Sequence, residues 1–231
     1  MARKQPSPTI DQRERLVTIT TDSVRLDGML GLPPNAPGIV LFAHGSGSSR
    51  LSPRNNYVAG VLRSAGLATL LMDLLSEEED RDYETRFDIG LLTERLLAAT
   101  RWLAAQPETG KLAVGLFGSS TGAAAALNAA ARPASGVRAV VSRGGRPDLA
   151  ESLDHVRAPT LLIIGSLDTE VIRLNRQAYA QLAGEKELLI IPGATHLFEE
   201  PGTLEQVSQA AARWFARHLG RRPDGAGPSE H

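Results

Sequence analysis

Six short runs of nearly unbroken apolar residues, separated by stretches of helical period, constrain what this chain can fold into. The runs are 38–43 (GIVLFA), 67–72 (LATLLM), 112–117 (LAVGLF), 137–142 (VRAVVS), 160–164 (TLLII) and 187–191 (ELLII). Strands buried on both faces of a parallel sheet read this way. Between them, 55–64, 87–105, 121–131, 170–183 and 204–218 carry helical spacing. In 87–105, Leu91, Leu92, Arg95, Leu96, Ala99 and Leu103 form one stripe. Ahead of them, 16–21 and 24–32 alternate apolar and polar residues around Thr21-Asp22-Ser23, as an antiparallel hairpin does. The pattern predicts an α/β fold: a mostly parallel sheet of about eight strands with helices on both faces.

The 231 residues suit one α/β domain, expected over 13–220. The ends, 1–12 and 221–231, are rich in Pro, Gly and charge without periodicity and are expected to be disordered tails. A formal charge of −1, from 25 basic and 26 acidic residues, gives no basic stripe for nucleic acid or a membrane surface. No apolar run approaches a membrane span, and the N-terminus lacks the apolar core of a secretory signal. A cytoplasmic protein is the expectation. The absence of cysteine excludes disulfides, thiolate metal sites and a cysteine nucleophile. The sequence leaves the oligomeric state open.

In open parallel sheets, ligands sit beyond the carboxyl ends of the strands. The residues that follow the strand runs are therefore the candidates: His44-Gly45-Ser46, Asp73, Ser119-Ser120-Thr121, Arg143-Gly144-Gly145, Ser166-Leu167-Asp168 and Thr195-His196. Gly118-Ser119-Ser120-Thr121-Gly122 is G-x-S-x-G between a strand run and an alanine-rich helix. Such a turn strains its serine, exposes the hydroxyl and sets it at a helix N-terminus. Ser119 holds the variable position, so Ser120 is the expected nucleophile.

A serine hydroxyl needs a base. Of five histidines, His196 lies in a loop after the last strand. His44 precedes Ser120 and suits loop shaping; His155 lacks a strand end, His218 sits in the last helix and His231 in the tail. Asp168, between serine and histidine, is the expected acid. Its rival Glu170 falls in a first helical turn, where an acid serves the dipole. Backbone N–H groups of Thr121 and Ser46, with Gly47 in reserve, are the expected oxyanion donors. No metal-ligand spacing such as HExxH and no GxGxxG or Gly-Lys-Ser/Thr phosphate cradle occurs, so no metal or cofactor is expected. Arg143 ends a strand and is a candidate substrate contact, with Arg146, Arg50 and Arg54 near. The acids of 77–82 and Asp73 are the competing partners for these arginines.

These residues, in this order, resemble the α/β-hydrolase superfamily over 16–219. The HGSGSS loop, small size and lack of a large cap insertion look most like its dienelactone-hydrolase-like branch. Dienelactone hydrolases themselves use a cysteine where this chain has Ser120, a departure that favours a general carboxylesterase over dienelactone as substrate. The resemblance implies a serine hydrolase acting on a small-molecule ester or lactone. The alternatives are an acyltransferase or cofactor-free perhydrolase using the same triad, or a non-catalytic binding protein of the same fold.

Overall fold

The computed structural model describes residues 14–21 and 24–220. Both expected tails, and Asp22 and Ser23 of the hairpin turn, lie outside the described residues. The elements in chain order are β1 (Glu14–Thr20), β2 (Arg25–Gly31), β3 (Gly38–Ala43), α1 (Pro53–Ser64), β4 (Ala68–Met72), α2 (Ile89–Ala105) and β5 (Ala113–Ser119). Then come α3 (Thr121–Ala131), β6 (Val137–Arg143), β7 (Thr160–Gly165), α4 (Thr169–Gln181), β8 (Lys186–Ile191) and α5 (Thr203–Leu219).

All eight strands form one sheet in the order β1-β2-β4-β3-β5-β6-β7-β8. β1 and β2 run antiparallel and β2 joins β4 antiparallel; from β4 onward every pairing is parallel. The unbroken apolar runs have the expected consequence, since every residue of β3, β4 and β7 is buried. Edge strand β1 keeps its alternation, with Val17 and Ile19 inward.

Two cores flank the sheet. Leu92, Leu96 and Leu103 of α2, with the alanines of α3 and Val171 of α4, fill one face. On the other, Val58 and Leu62 of α1 meet Val207, Trp214 and Phe215 of α5. Phe42 and Phe117 pair in register between β3 and β5, with ring centroids 4.9 Å apart. Arg95, on the apolar stripe of α2, is buried and is accommodated by Glu79 at 2.6 Å and the Thr21 hydroxyl at 2.6 Å. Leu91 of that stripe is only partly buried.

Only α3 starts where the sequence places it; α4 and α5 each start one residue early, and two helix starts differ by two residues for a local reason. α1 begins at Pro53, not 55, because Ser52 caps it by accepting from Asn55 N–H at 3.3 Å. α2 begins at Ile89, not 87, because Asp88 accepts from Leu91 N–H at 2.8 Å. Among the described residues no helix is long and apolar enough to cross a membrane.

Candidate active site

Ser120 joins β5 to α3 with φ 50° and ψ −122°, outside the regions a side-chain-bearing residue ordinarily adopts. Such strain costs roughly 1–3 kcal/mol and persists only where surroundings over-determine it. Here three backbone bonds do so. Ser120 N–H donates to Arg143 C=O at 3.3 Å, and Ser120 C=O accepts from Ala123 at 3.1 Å and Arg146 at 3.1 Å. The flanking glycines serve close approach. A Cβ on Gly118 would collide with the Ala123 backbone, and one on Gly122 with the carbonyl oxygens of Ala43 and His44. Gly45 faces the nucleophile: a Cβ there would stand 3.1 Å from Ser120 Cβ.

His196 leaves the loop after β8, and its Nδ1 lies 2.6 Å from Asp168 Oδ2 beyond β7. The carboxylate can only accept, so Nδ1 carries the proton and Nε2 is left for the nucleophile. Glu170 instead pairs with Arg173 at 2.6 Å on the exposed surface of α4, an interaction that lowers its pKa. Ser120 and His196 line one cavity of about 220 Å³, together with Gly45, Ser46, Arg143 and Leu197. No hydrogen bond joins the Ser120 hydroxyl to the imidazole among the described residues; such contacts are often long before substrate binds.

The neighbouring serine is placed otherwise. Ser119 is buried, its hydroxyl donating to Asn55 Oδ1 at 3.3 Å and accepting from Arg143 Nε at 3.3 Å.

Thr121 is the first residue of α3, so its N–H has no partner within the helix and adjoins the nucleophile. Ser46 departs from the expectation. It lines the cavity, but its N–H donates to the Thr121 hydroxyl at 3.0 Å. Work as an oxyanion donor requires that bond to open. Gly47, the reserve, turns the loop at φ 67° and does not line the cavity.

His44 shapes the loop after β3. Its Nδ1 donates to Gly45 C=O at 2.9 Å, and Nε2 accepts from Leu74 N–H at 3.0 Å. It is buried, and desolvation lowers its pKa below the ordinary histidine value.

The arginines divide. Arg50 pairs with Asp73, Arg54 with Glu199 at 2.9 Å, and Arg146 with Asp148 at 2.7 Å. Of the acidic stretch, Glu79 pairs with Arg95 and Asp80 with Arg86. Acids therefore take Arg50, Arg54 and Arg146 but leave Arg143 without a carboxylate among the described residues. Asn55, which accepts from the Ser119 hydroxyl, carries no signal in the sequence. It lies on a helix, away from any strand end, and only packing brings it to the cavity.

Comparison with known proteins agrees with this architecture. Residues 26–220 match the family model described as the dienelactone hydrolase family. A crystal structure of dienelactone hydrolase from Anabaena variabilis is 58% identical, with a TM-score of 0.87, covering 90% of this chain and 98% of that one. A serine hydrolase without lid from Xanthomonas campestris shares the fold at 23% identity and a TM-score of 0.75, covering 94% of this chain and 100% of that one. Two curated relatives from strains of Mycobacterium tuberculosis are 57% identical over 218 residues and are provisionally named phosphoribosyl transferase. The match covers 94% of this chain and 48% of each relative, so the chain spans about half their length.

Proposed function

Because the chain belongs to the dienelactone hydrolase family, whose fold and name are those of hydrolases, we propose that it cleaves carboxylic esters or lactones through Ser120, His196 and Asp168. The observation that carries this reading is the strained Ser120 elbow opening on the same cavity as an imidazole already oriented by a carboxylate.

In the proposed mechanism, Ser120 Oγ attacks the ester carbonyl as His196 Nε2 takes its proton. Asp168 holds the tautomer and stabilises the imidazolium. Thr121 N–H, at the positive end of α3, receives the developing oxyanion. Ser46 N–H joins it when the substrate oxygen replaces the Thr121 hydroxyl. The imidazolium then protonates the leaving alcohol, and water, deprotonated by His196, releases the acid from the acyl-enzyme. Each step moves protons between groups of this chain and substrate. The transferase name belongs to proteins about twice as long, and nothing in this cavity singles out that chemistry.

A fluorophosphonate probe tests the reading, since only an activated serine reacts readily. Labelling is expected at Ser120, to vanish in Ser120→Ala and to persist in Ser119→Ala. Labelling mapped to another serine overturns the assignment. Product analysis with added alcohol or peroxide separates hydrolysis from acyl transfer and perhydrolysis. A chain that neither labels nor turns over esters would be the non-catalytic binder.

A further inference from the structure

His196 sits on the segment 192–202, which joins β8 to α5. The first residues of that segment are fastened to the turn after β7. Gly193 N–H donates to the Ser166 hydroxyl at 2.8 Å, and Ala194 C=O accepts from Leu167 N–H at 2.9 Å. Beyond them the backbone has little to hold it. Among the described residues the N–H groups of His196 and Leu197 make no hydrogen bond. The bond to Asp168 fixes one atom of the imidazole, not the backbone that carries it. Phe198, two residues on, is strained. It stands at φ 55°, which bulky side chains avoid, and is buried. Such a residue persists only where its surroundings over-determine it.

Glu200 closes this segment. Its carboxylate accepts both donors of Thr195, the residue before the histidine: the hydroxyl at 2.6 Å on Oε1 and the N–H at 3.1 Å on Oε2. Its own C=O accepts from Thr203 where α5 begins, from the N–H at 3.1 Å and the hydroxyl at 2.7 Å. One residue thus ties the backbone next to the imidazole to a helix packed in the core. The acids beside it are engaged elsewhere, Glu199 with Arg54 at 2.9 Å and Glu205 with Gln209 at 3.1 Å. The bond from the Thr195 hydroxyl, with backbone N–H groups, lowers the Glu200 pKa, so the carboxylate is ionised at neutral pH and only accepts. Without this clasp the strain at Phe198 is free to relax, and His196, between the two clasped residues, moves with it. We propose that Glu200 is a positioning residue: it holds the Thr195-His196 backbone so that the imidazole meets both Asp168 and the Ser120 hydroxyl. It acts through Thr195 and touches no reacting atom. A displacement of about 1 Å at a reacting group can cost about 10²-fold in rate, so a surface carboxylate gains leverage by standing here.

This inference rests on His196 being the base of the proposed esterase, and the two can fail separately. Hydrolysis of p-nitrophenyl acetate is measured in the unaltered full chain and in Glu200→Ala, Glu200→Gln and Thr195→Val. Glu200→Ala should lower kcat and kcat/KM equally, by about tenfold or more, with KM little changed. Glu200→Gln keeps an oxygen for the Thr195 N–H and should recover much of the loss. Thr195→Val should cost less than Glu200→Ala and nothing further when added to it. Glu205→Gln, the loss of a neighbouring surface charge, should leave kcat unchanged. An unchanged kcat in Glu200→Ala, a loss confined to KM, no recovery in Glu200→Gln or additive losses overturn the proposal. Should Glu200→Ala fail to fold, Thr195→Val carries the comparison, and a kcat equal to that of the unaltered chain overturns it. A second readout needs no turnover. Long-range proton–nitrogen correlation spectra of the histidine rings should show His196 with Nδ1 protonated and Nε2 bare in the unaltered chain, and mixed tautomers in Glu200→Ala. An unchanged His196 ring in Glu200→Ala overturns the positioning role. An unaltered chain that neither labels with fluorophosphonate nor cleaves esters rejects the esterase, and the ring spectra then decide for or against Glu200 on their own.

Discussion

Two acids stand two residues apart at the start of α4, and their surroundings give them unlike tasks. Asp168 spends its carboxylate on His196 at 2.6 Å, whereas Glu170 spends its own on Arg173 in solvent. Asp168→Asn should therefore lower kcat by about 10³–10⁴, the scale of losing a charged triad acid. Glu170→Gln should cost less than about tenfold, because an exposed first-turn acid contributes only a fraction of a kcal/mol. Steady-state kinetics on one neutral ester decides between them; the reverse ranking transfers the role to Glu170. The sequence shows these residues because chain order and strand ends constrain them. It does not show that Ser46 N–H is held by a hydroxyl 75 residues away, a contact made by tertiary packing alone. Asn55 escapes for the same reason: its neighbours Ser119 and Arg143 meet in register across β5 and β6, and α1 delivers it to them from a separate part of the chain.

At the scale of elements, the position of α3 over the sheet depends on the missing side chain of Gly122. Any Cβ there would drive into the backbone carbonyls of Ala43 and His44. Gly122→Ala should destabilise the protein by about 1–3 kcal/mol or more, as overpacking against backbone does. Gly60 lies inside α1, and its nearest neighbour to a new Cβ would be 4.0 Å away. Gly60→Ala should instead stabilise by about 0.4–1 kcal/mol, because alanine is the better helix former and restricts the unfolded chain. Urea unfolding of both variants reads this contrast directly. A stable Gly122→Ala would remove the packing explanation of the motif. The strands were legible because burial on both faces writes itself as continuous apolar runs; β3 matches its run residue for residue. Helix starts were less so. Ser52-Pro53 and Asp88 are cap signals that a reading by apolar period passes over.

Across the whole molecule, the loop that approaches the nucleophile is fastened to the neighbouring strand end by a neutral histidine. His44 joins the turn after β3, through Gly45, to the turn after β4, through Leu74. Arg50 adds a second tie, its backbone N–H donating to Asp73 Oδ1 at 2.7 Å. Burial lowers the His44 pKa, while the Gly45 hydrogen bond and the charges of Asp73 and Asp80 only oppose that shift. An unfolded histidine titrates near about 6.5. Below that value the unfolded chain takes up a proton that the folded chain refuses, and protonated Nε2 could no longer accept from Leu74. The stability from neutral His44 is thus complete above about pH 6.5 and is lost as pH falls toward the lowered folded value, by up to about 1.4 kcal/mol per pH unit. Glutamine can present an oxygen and an N–H without titrating in this range, so His44→Gln removes this one contribution. Urea unfolding at intervals from about pH 7.5 to 5.5 should show the unaltered protein losing stability faster than the variant, the curves diverging below about pH 6.5. Parallel curves would mean that His44 takes up its proton equally in the folded and the unfolded chain, and that the bond from Leu74 N–H does not hold the loop.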